Sequence, residues 1–206
     1  LTNETESDLM AQLDIWNAAR GKRNHELRDM GIFGKDFFRA KEIRRKLVNA
    51  LRSSNVRFGS SGNRMDILKA CVAGMVDHLY RNEYGDYQNG DGRRQKARES
   101  VIYGSPEWIV GLPKDIQFKG RRGSLQTLNL VAMCTKVDPS WLTEVAPQLV
   151  KIEEGLNPNF DSTKDSCVST TITHFNGQQV KEEVVADPEH DEAANVFTNW
   201  LANQMV

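Results

Sequence analysis

The sequence predicts an α+β protein, because its hydrophobic periodicity changes part-way along the chain. Over the first eighty residues, apolar side chains recur every three to four positions, which is typical of amphipathic helices. From about residue 100, short runs rich in β-branched and aromatic residues are separated by turn residues, which is typical of strands. After Pro188 the helical spacing returns. We therefore expect helices first, then a sheet or barrel, then one helix.

Three helices are predicted in the first part of the chain. Ser7 is a predicted N-cap for a helix over 8–19, since its hydroxyl can accept a hydrogen bond from a free backbone N–H of the first turn. The second helix covers 35–54 and is apolar on one side and strongly basic on the rest. The third covers 64–81. The apolar side of the second helix is predicted to comprise Phe37, Ala40, Ile43, Leu47 and Leu51.

A polar segment divides the helical part from the strand-rich part. Residues 82–99 are rich in glycine and arginine, so we expect a hinge or interaction loop there. The predicted domains are a helical domain over 1–92, a strand-rich domain over 93–187, and a C-terminal amphipathic helix over 188–206 that packs on the strands.

The strand-rich domain is predicted to be a small barrel. Asn176-Gly177 is a predicted hairpin turn, and 153–166 is predicted to be a polar loop. The expected strands lie at 100–104, 107–113, 115–120, 125–137, 167–177 and 178–187. About five strands with one short helix among them match the partly open five-stranded barrel, the OB-fold, that binds oligonucleotides or oligosaccharides.

The short helix lies between two prolines. Asp138 can cap the turn that begins at Pro139, and Pro147 disfavours helical geometry at the residue before it. Trp141 falls on the apolar side of this helix, so we interpret it as core rather than as a base-stacking residue. The segment is a predicted structural plug of the barrel.

Positive and negative residues are distributed unevenly along the chain, although its net charge is close to zero. The net charge is −1, yet residues 1–136 carry 24 Lys and Arg against 16 Asp and Glu, and residues 137–206 carry 3 against 12. A basic part is expected in a protein that touches a polyanion, although a solvated helix face gives the same count.

No apolar run approaches a bilayer-spanning length. Three scattered cysteines argue against a disulfide framework and fit a cytoplasmic location, and no metal-ligand spacing is present.

Several segments together carry a family resemblance. The run "VDPSWLTEVAP" resembles the Pro-x-Trp-Leu-x-Glu-hydrophobic-Ala-Pro signature near the C-terminus of DEAH/RHA-type RNA helicases. Upstream, "SDLMAQLDIWNAA", "FRAKEIRRKL" and "ILKACVAGM" resemble that family's segments in the family's order. The signature positions matched are Pro139, Trp141, Leu142, Glu144, Ala146 and Pro147. Lys46 departs from the usual Gln, and the tail from Cys167 looks more like a bacterial branch.

The resemblance implies a helicase-associated, ratchet-like helical domain followed by an OB-fold, a piece of a longer ATP-dependent enzyme. Its partners would be single-stranded RNA, or DNA, and the motor domains in cis, with no membrane. ATP and Mg²⁺ are expected only in those motor domains, because no phosphate-binding Gly-rich loop occurs here. We expect no cofactor, metal or catalytic residue in this chain. The run "DEAA" at 191–194 is interpreted as helix N-terminal charge rather than a motor motif.

Basic side chains are the candidate nucleic-acid contacts, since phosphates require cations. The first set is in "FKGRRG", a predicted strand connection next to an aromatic; the second is in the polar segment; the third is on the basic helix. The candidates are Lys119, Arg121 and Arg122, then Arg93, Arg94 and Lys96, then Arg44 and Arg45. For each set a solvated charged surface remains the alternative. At the level of the whole chain, the alternatives are a protein-interaction scaffold and a free-standing OB-type binding module.

Overall fold

The computed structural model describes residues 4–57, 62–120 and 123–204. The chain forms two compact units, which are described separately. The first unit extends to Val137 and the second begins at Asp138. Helices and strands are both abundant, so the α+β prediction is confirmed.

Helices occupy the first half of the first unit. Their bounds are α1 (Asp8–Ala19), α2 (Asn24–Asp29), α3 (Gly34–Ser53) and α4 (Arg64–Gly74). Ser7 caps α1 as predicted, since its hydroxyl accepts a hydrogen bond from the Met10 N–H at 3.3 Å. The ring of Trp16 on α1 lies 4.9 Å from that of Phe37 on α3. That ring contact is one anchor of α3, which has no fully buried residue among those described.

Five strands of the first unit close into a barrel. They are β1 (Leu79–Glu83), β2 (Asp86–Asn89), β3 (Gly92–Lys96), β4 (Trp108–Lys119) and β5 (Leu125–Lys136). Their order is β1-β2-β3-β5-β4, and β4 pairs back on β1. All neighbours are antiparallel except β3 and β5. A cluster of fully or nearly buried side chains fills the barrel: Tyr80, Tyr87, Ile102, Ile109, Val131 and Cys134.

The predicted loop over 82–99 is wrong, because most of it forms β1, β2 and β3. The predicted domain boundary between residues 92 and 93 falls within β3, which pairs with β2 in one barrel. These strands are short and mostly polar: β1 buries Leu79 and Tyr80, β2 buries Tyr87, and β3 has no fully buried side chain. The predicted third helix is also too long, since α4 ends at Gly74 and strand β1 begins at Leu79.

The second unit contains a separate antiparallel sheet. Its strands are β6 (Val150–Asp161), β7 (Ser166–Phe175) and β8 (Gln178–Ala186), paired in that order. The predicted turn at Asn176-Gly177 joins β7 to β8, and both residues have positive φ, +46° and +79°. The strands predicted at 167–177 and 178–187 thus exist, but they are not barrel strands.

One other prediction for this unit needs correction. The predicted polar loop over 153–166 is largely strand β6, whose register shifts twice along its length. The C-terminal helix, α6 (Ala193–Gln204), packs on β6 of the same unit. The ring of Phe160 lies 5.0 Å from that of Phe197 and 4.6 Å from that of Trp200.

The segment between the two prolines has the predicted N-cap, but it does not lie between strands of the barrel as predicted. Asp138 accepts a hydrogen bond from the Ser140 N–H at 2.9 Å, as an N-cap does. A 3₁₀ turn leads into the short helix α5 (Leu142–Val145), where Leu142 is buried and Trp141 is half-buried. The segment follows the last barrel strand and belongs to the second unit, so it is not a plug between barrel strands.

Two buried acids of the barrel core give the fold a predicted pH dependence. Burial raises the pKa of the Cys134 thiol from 9.0 to about 12, and that of the Tyr87 hydroxyl from 10.0 to about 12. The folded state therefore retains protons that the unfolded chain loses, and the stabilisation is complete below about pH 9 and is lost as the pH rises toward 12. We expect the free energy of unfolding to fall over this window.

Urea unfolding between pH 8 and pH 11 measures this effect. The variant Cys134→Ala lacks the thiol and should show a shallower fall, although its stability at pH 8 is lower because a small cavity remains. An equally steep fall in the variant would mean that the thiol does not cause the alkaline loss.

The charge division of the sequence coincides with the division into units. The basic residues 1–136 end one residue before the boundary at Val137, so the helices and barrel carry the positive excess. The three-stranded sheet and its helices carry the negative excess. A polyanion would therefore be attracted to the first unit and repelled by the second.

Candidate nucleic-acid interface

The β4–β5 hairpin extends beyond the barrel as a two-stranded arm. We use "the arm" for residues 112–119 of β4 and 125–132 of β5. The first four residues of β4 are buried in the barrel, whereas all eight that follow are exposed. These eight pair only with β5, from Leu112 opposite Ala132 to Lys119 opposite Leu125. The outer part of the arm is thus a ribbon with both faces open, whereas Leu130 and Val131 at its base are buried and pair with β3.

The two faces of the arm differ in chemistry because successive side chains of a strand point to opposite sides. One face of β4 carries Leu112, Lys114, Ile116 and Phe118, and its three apolar residues, Leu112, Ile116 and Phe118, have exposed fractions of 45%, 38% and 45%. We call these residues the apolar face of the arm. The opposite face of β4 is polar and includes Asp115 and Lys119. An exposed aromatic and aliphatic row beside cations is unusual for a solvated surface and typical of a binding surface.

The tip of the arm holds the first predicted set of contacts. Lys119 is exposed and makes no ion pair with another described residue. The turn is closed by a hydrogen bond from the Gly120 N–H to the Ser124 carbonyl at 2.8 Å. Arg121 and Arg122 lie outside the described residues. Of the first set, the structure therefore places only Lys119, next to Phe118.

The second predicted set lies on β3 and divides between two environments. The Arg94 guanidinium is largely buried, with 14% of its side chain exposed, and donates to Asp115 at 2.5 Å at the base of the arm. The Lys96 ammonium donates to the carbonyls of Ile102 and Gly104. Arg94 thus joins β3 to β4, and Lys96 joins β3 to the loop over 102–104. Arg93 is exposed, and its nearest acid is Asp86 at 3.9 Å.

The third predicted set lies on α3. Arg45 forms a two-pronged ion pair with Glu42, with distances of 3.0 Å and 2.7 Å, and this pair lowers the pKa of the Glu42 carboxyl. Arg44 is exposed and has no ion-pair partner among the described residues. Of the eight candidates, Lys119, Arg93 and Arg44 are thus the described cations most available to a ligand.

A buried carboxylate, which the sequence analysis did not single out, holds the base of the arm. Asp8 is 7% exposed at the start of α1. It accepts hydrogen bonds from the backbone N–H groups of Val101 and Cys134, both at 2.7 Å, and from the Ser100 hydroxyl at 3.0 Å. One side chain thereby joins a helix, a loop and β5. An acid just after a serine cap is an ordinary helix start, so these distant partners could not be predicted from the sequence.

A second exposed aromatic residue lies at another hairpin of the barrel. Tyr84 occupies the β1–β2 turn with φ of +55°, and its side chain is fully exposed. The signal for Tyr84 in the sequence is the Tyr-Gly pair between two polar runs.

The described part of the chain holds neither a metal-ligand cluster nor a membrane-spanning helix. No group of three or more His, Cys, Asp or Glu side chains there could hold a metal ion. Among the same residues, no helix combines the length and the hydrophobicity that crossing a bilayer requires.

No protein-family model matches the chain. Among solved structures, the chain is similar to the DExH-box NTPase HrpB of E. coli, at 20% identity and a TM-score of 0.38, over 75% of this chain and 18% of that one. A second structure, the Escherichia coli DEAH/RHA helicase HrpB, matches at 19% identity and a TM-score of 0.37, over 74% and 18%. The chain thus spans about a fifth of the length of these neighbours.

Proposed function

We propose that the first unit binds single-stranded nucleic acid, with RNA as the principal ligand, along the arm of the barrel. One observation carries the proposal: the arm exposes Ile116 and Phe118 on one face, and the exposed Lys119 follows Phe118 at the tip on the opposite face. Single-stranded RNA offers flat bases that stack on such side chains and phosphates that bind cations. The positive excess of the first unit adds a longer-range attraction.

The barrel provides a second argument. We propose that this barrel is an OB-like fold, and the support is its five strands, with β5 between β3 and β4 and closure of β4 on β1. In that fold the loop between the last two strands is one of the ligand-contacting elements, and here it is the tip of the arm. We propose that Arg121 and Arg122 act there together with Lys119. Arg93 and Arg44 are secondary contacts. The other three cations, Arg94, Lys96 and Arg45, bind protein groups and do not contact the RNA in this proposal.

We further propose that the chain is the C-terminal accessory region of a DEAH/RHA-type ATP-dependent RNA helicase, from a bacterial branch. The support is the ordered set of sequence segments, from "SDLMAQLDIWNAA" to "VDPSWLTEVAP". In this proposal the motor domains in cis bind ATP and Mg²⁺ and hydrolyse the nucleotide. This chain guides the single strand and couples its movement to them. The first unit corresponds to the ratchet-like helices and the OB-fold.

The variant Phe118→Ala tests the stacking part of the proposal. We expect its affinity for a labelled 12-nucleotide single-stranded RNA to fall about fivefold to tenfold, because base stacking on one aromatic contributes about 1–3 kcal/mol. Fluorescence anisotropy at fixed salt measures the change. Phe33→Ala is the matched control, since Phe33 is 79% exposed but lies at the start of α3. Equal affinities of the two variants would remove Phe118 from the site.

A second candidate function rests on α3. Its apolar side is exposed, with exposed fractions of 50% for Ile43, 59% for Leu47 and 44% for Leu51. A row of this kind is expected to be covered by another protein surface. This observation favours a protein-interaction scaffold, in which the arm has no nucleic-acid role. Charge reversal at the tip of the arm separates the two functions. If the variant folds but no longer binds RNA, the result supports nucleic-acid binding over the protein-interaction scaffold.

A further inference from the structure

A cleft lies beside the base of the arm, within the first unit. It has a volume of about 510 Å³ and is bounded by α1, the arm and the segment after β3. Most of its lining is apolar. The residues used below are Ala11, Ile15, Leu112, Pro113, Ala132 and Met133. A volume of this size is within the usual range for a site that takes one small organic group.

Two backbone irregularities shape the cleft. The β4–β5 register shifts between Val110 and Leu112, at Gly111. A Cβ atom on Gly111 would lie 2.5 Å from the Val131 Cγ1 atom, so only glycine permits this close approach of the two strands. Across the ribbon, Met133 has a φ of +55°, which is costly for a residue other than glycine. Bulges and strained residues are typical of ligand sites.

The polar groups at the cleft can be released to a ligand. Lys114 pairs with Glu99 at 3.6 Å, and their side chains are 50% and 66% exposed, so the pair is weakly held. The Gln12 amide donates to the Met133 Sδ atom at 3.3 Å, and a thioether is a poor acceptor. The cleft thus offers an amide, a carboxylate and an ammonium around an apolar floor.

We propose that this cleft is a pocket for one nucleobase of the bound single strand. The inference rests on the proposed function. A nucleobase is planar and apolar on its faces and carries donors and acceptors on its edge, which matches the apolar floor and the three polar groups. The pocket is continuous with the apolar face of the arm, because Leu112 belongs to both. Bases stacked on Phe118 and Ile116 would therefore lead the strand toward the cleft.

The test compares two strands of equal length and charge: a 12-nucleotide oligo(A) RNA and an abasic ribose-phosphate strand. For the wild-type chain we expect the RNA to bind at least about tenfold more tightly. Ala132→Phe fills the cleft from the side of β5 and should lower that ratio about fivefold. Ala194→Phe introduces the same side chain at an exposed position of α6 and should leave the ratio unchanged. Gln12→Ala, at an exposed helix position, should lower it about twofold and covers the case in which Ala132→Phe fails to fold.

The outcomes separate this inference from the proposed function. If neither strand binds, the proposed function fails and the pocket fails with it. If both strands bind equally, RNA binding stands as a backbone interaction and the nucleobase pocket is overturned. A high ratio that neither Ala132→Phe nor Gln12→Ala changes also overturns it, since the bases then bind elsewhere. Crosslinks from a 4-thiouridine strand to peptides of α1 support it.

Discussion

Replacing Lys119, Arg121 and Arg122 together by glutamate should lower the affinity for single-stranded RNA about 100-fold or more at low salt. The tip of the arm would lose three cations and gain three anions, so it would repel the phosphates that it now attracts. We also expect the slope of log affinity against log salt to become shallower by about 2, because each phosphate contact on a single strand contributes about 0.7. Anisotropy titrations at several salt concentrations give both quantities.

The matched control reverses the same number of charges on α3, at Arg39, Lys41 and Lys46. It changes the net charge of the first unit equally, so it corrects for the general loss of attraction. We expect a loss of only a few-fold, with little change in slope. A loss as large as that at the tip would show that RNA responds to the overall charge of the first unit, and the arm would not be its site.

The variant Asp8→Ala should lower the free energy of unfolding by about 3–5 kcal/mol. The carboxylate accepts from two backbone N–H groups and one hydroxyl, and its removal leaves these donors buried without a partner. The helix also loses the acid in its first turn. Chemical unfolding followed by circular dichroism measures the change.

Asp29→Ala is the control for this variant, because Asp29 is exposed at the end of α2. We expect its effect to stay within about 0.5 kcal/mol. If Asp8→Ala is as stable as the control, water or a neighbouring group replaces the carboxylate, and Asp8 does not hold the base of the arm.

Elements with strong local signals could be predicted from the sequence. The Ser7 cap and the regular apolar spacing placed α1 and α3 to within one residue of their observed ends. Asn176-Gly177 specified a tight hairpin, because both residues tolerate the positive φ that this turn requires. In each case the information lies within a few neighbouring residues.

The strands β1, β2 and β3 could not be predicted in the same way. They contain four or five residues each, and most of their side chains are polar and not buried. They are held in the barrel by the pairing of β1 with β4 and of β3 with β5, strands that come later in the chain. Strand β6 was missed for another reason: Gly155 and Asn157, both with positive φ, interrupt its alternation and resemble a loop.

The candidate site was predictable in part. The basic residues around Phe118 stood out in the sequence, but Arg94 and Lys96 have partners that only the fold brings close, namely Asp115 and backbone carbonyls. Arg45 pairs with Glu42, three residues earlier on the same helix. The alternation of Ile116 and Phe118 with polar residues was visible, yet alternation normally means that the apolar side is buried. The apolar side is exposed because eight residues of β4 extend beyond the four that are buried in the barrel.

The salt dependence of RNA binding by the intact wild-type chain tests the central claim most directly. We expect measurable affinity for a 12-nucleotide single-stranded RNA at about 50 mM salt, and a linear fall of log affinity with log salt. The slope should be about −2 to −4, as expected when roughly three to six phosphates are neutralised. Absence of binding at low salt, or an affinity that does not change with salt, would contradict the claim that the arm of the first unit binds nucleic acid.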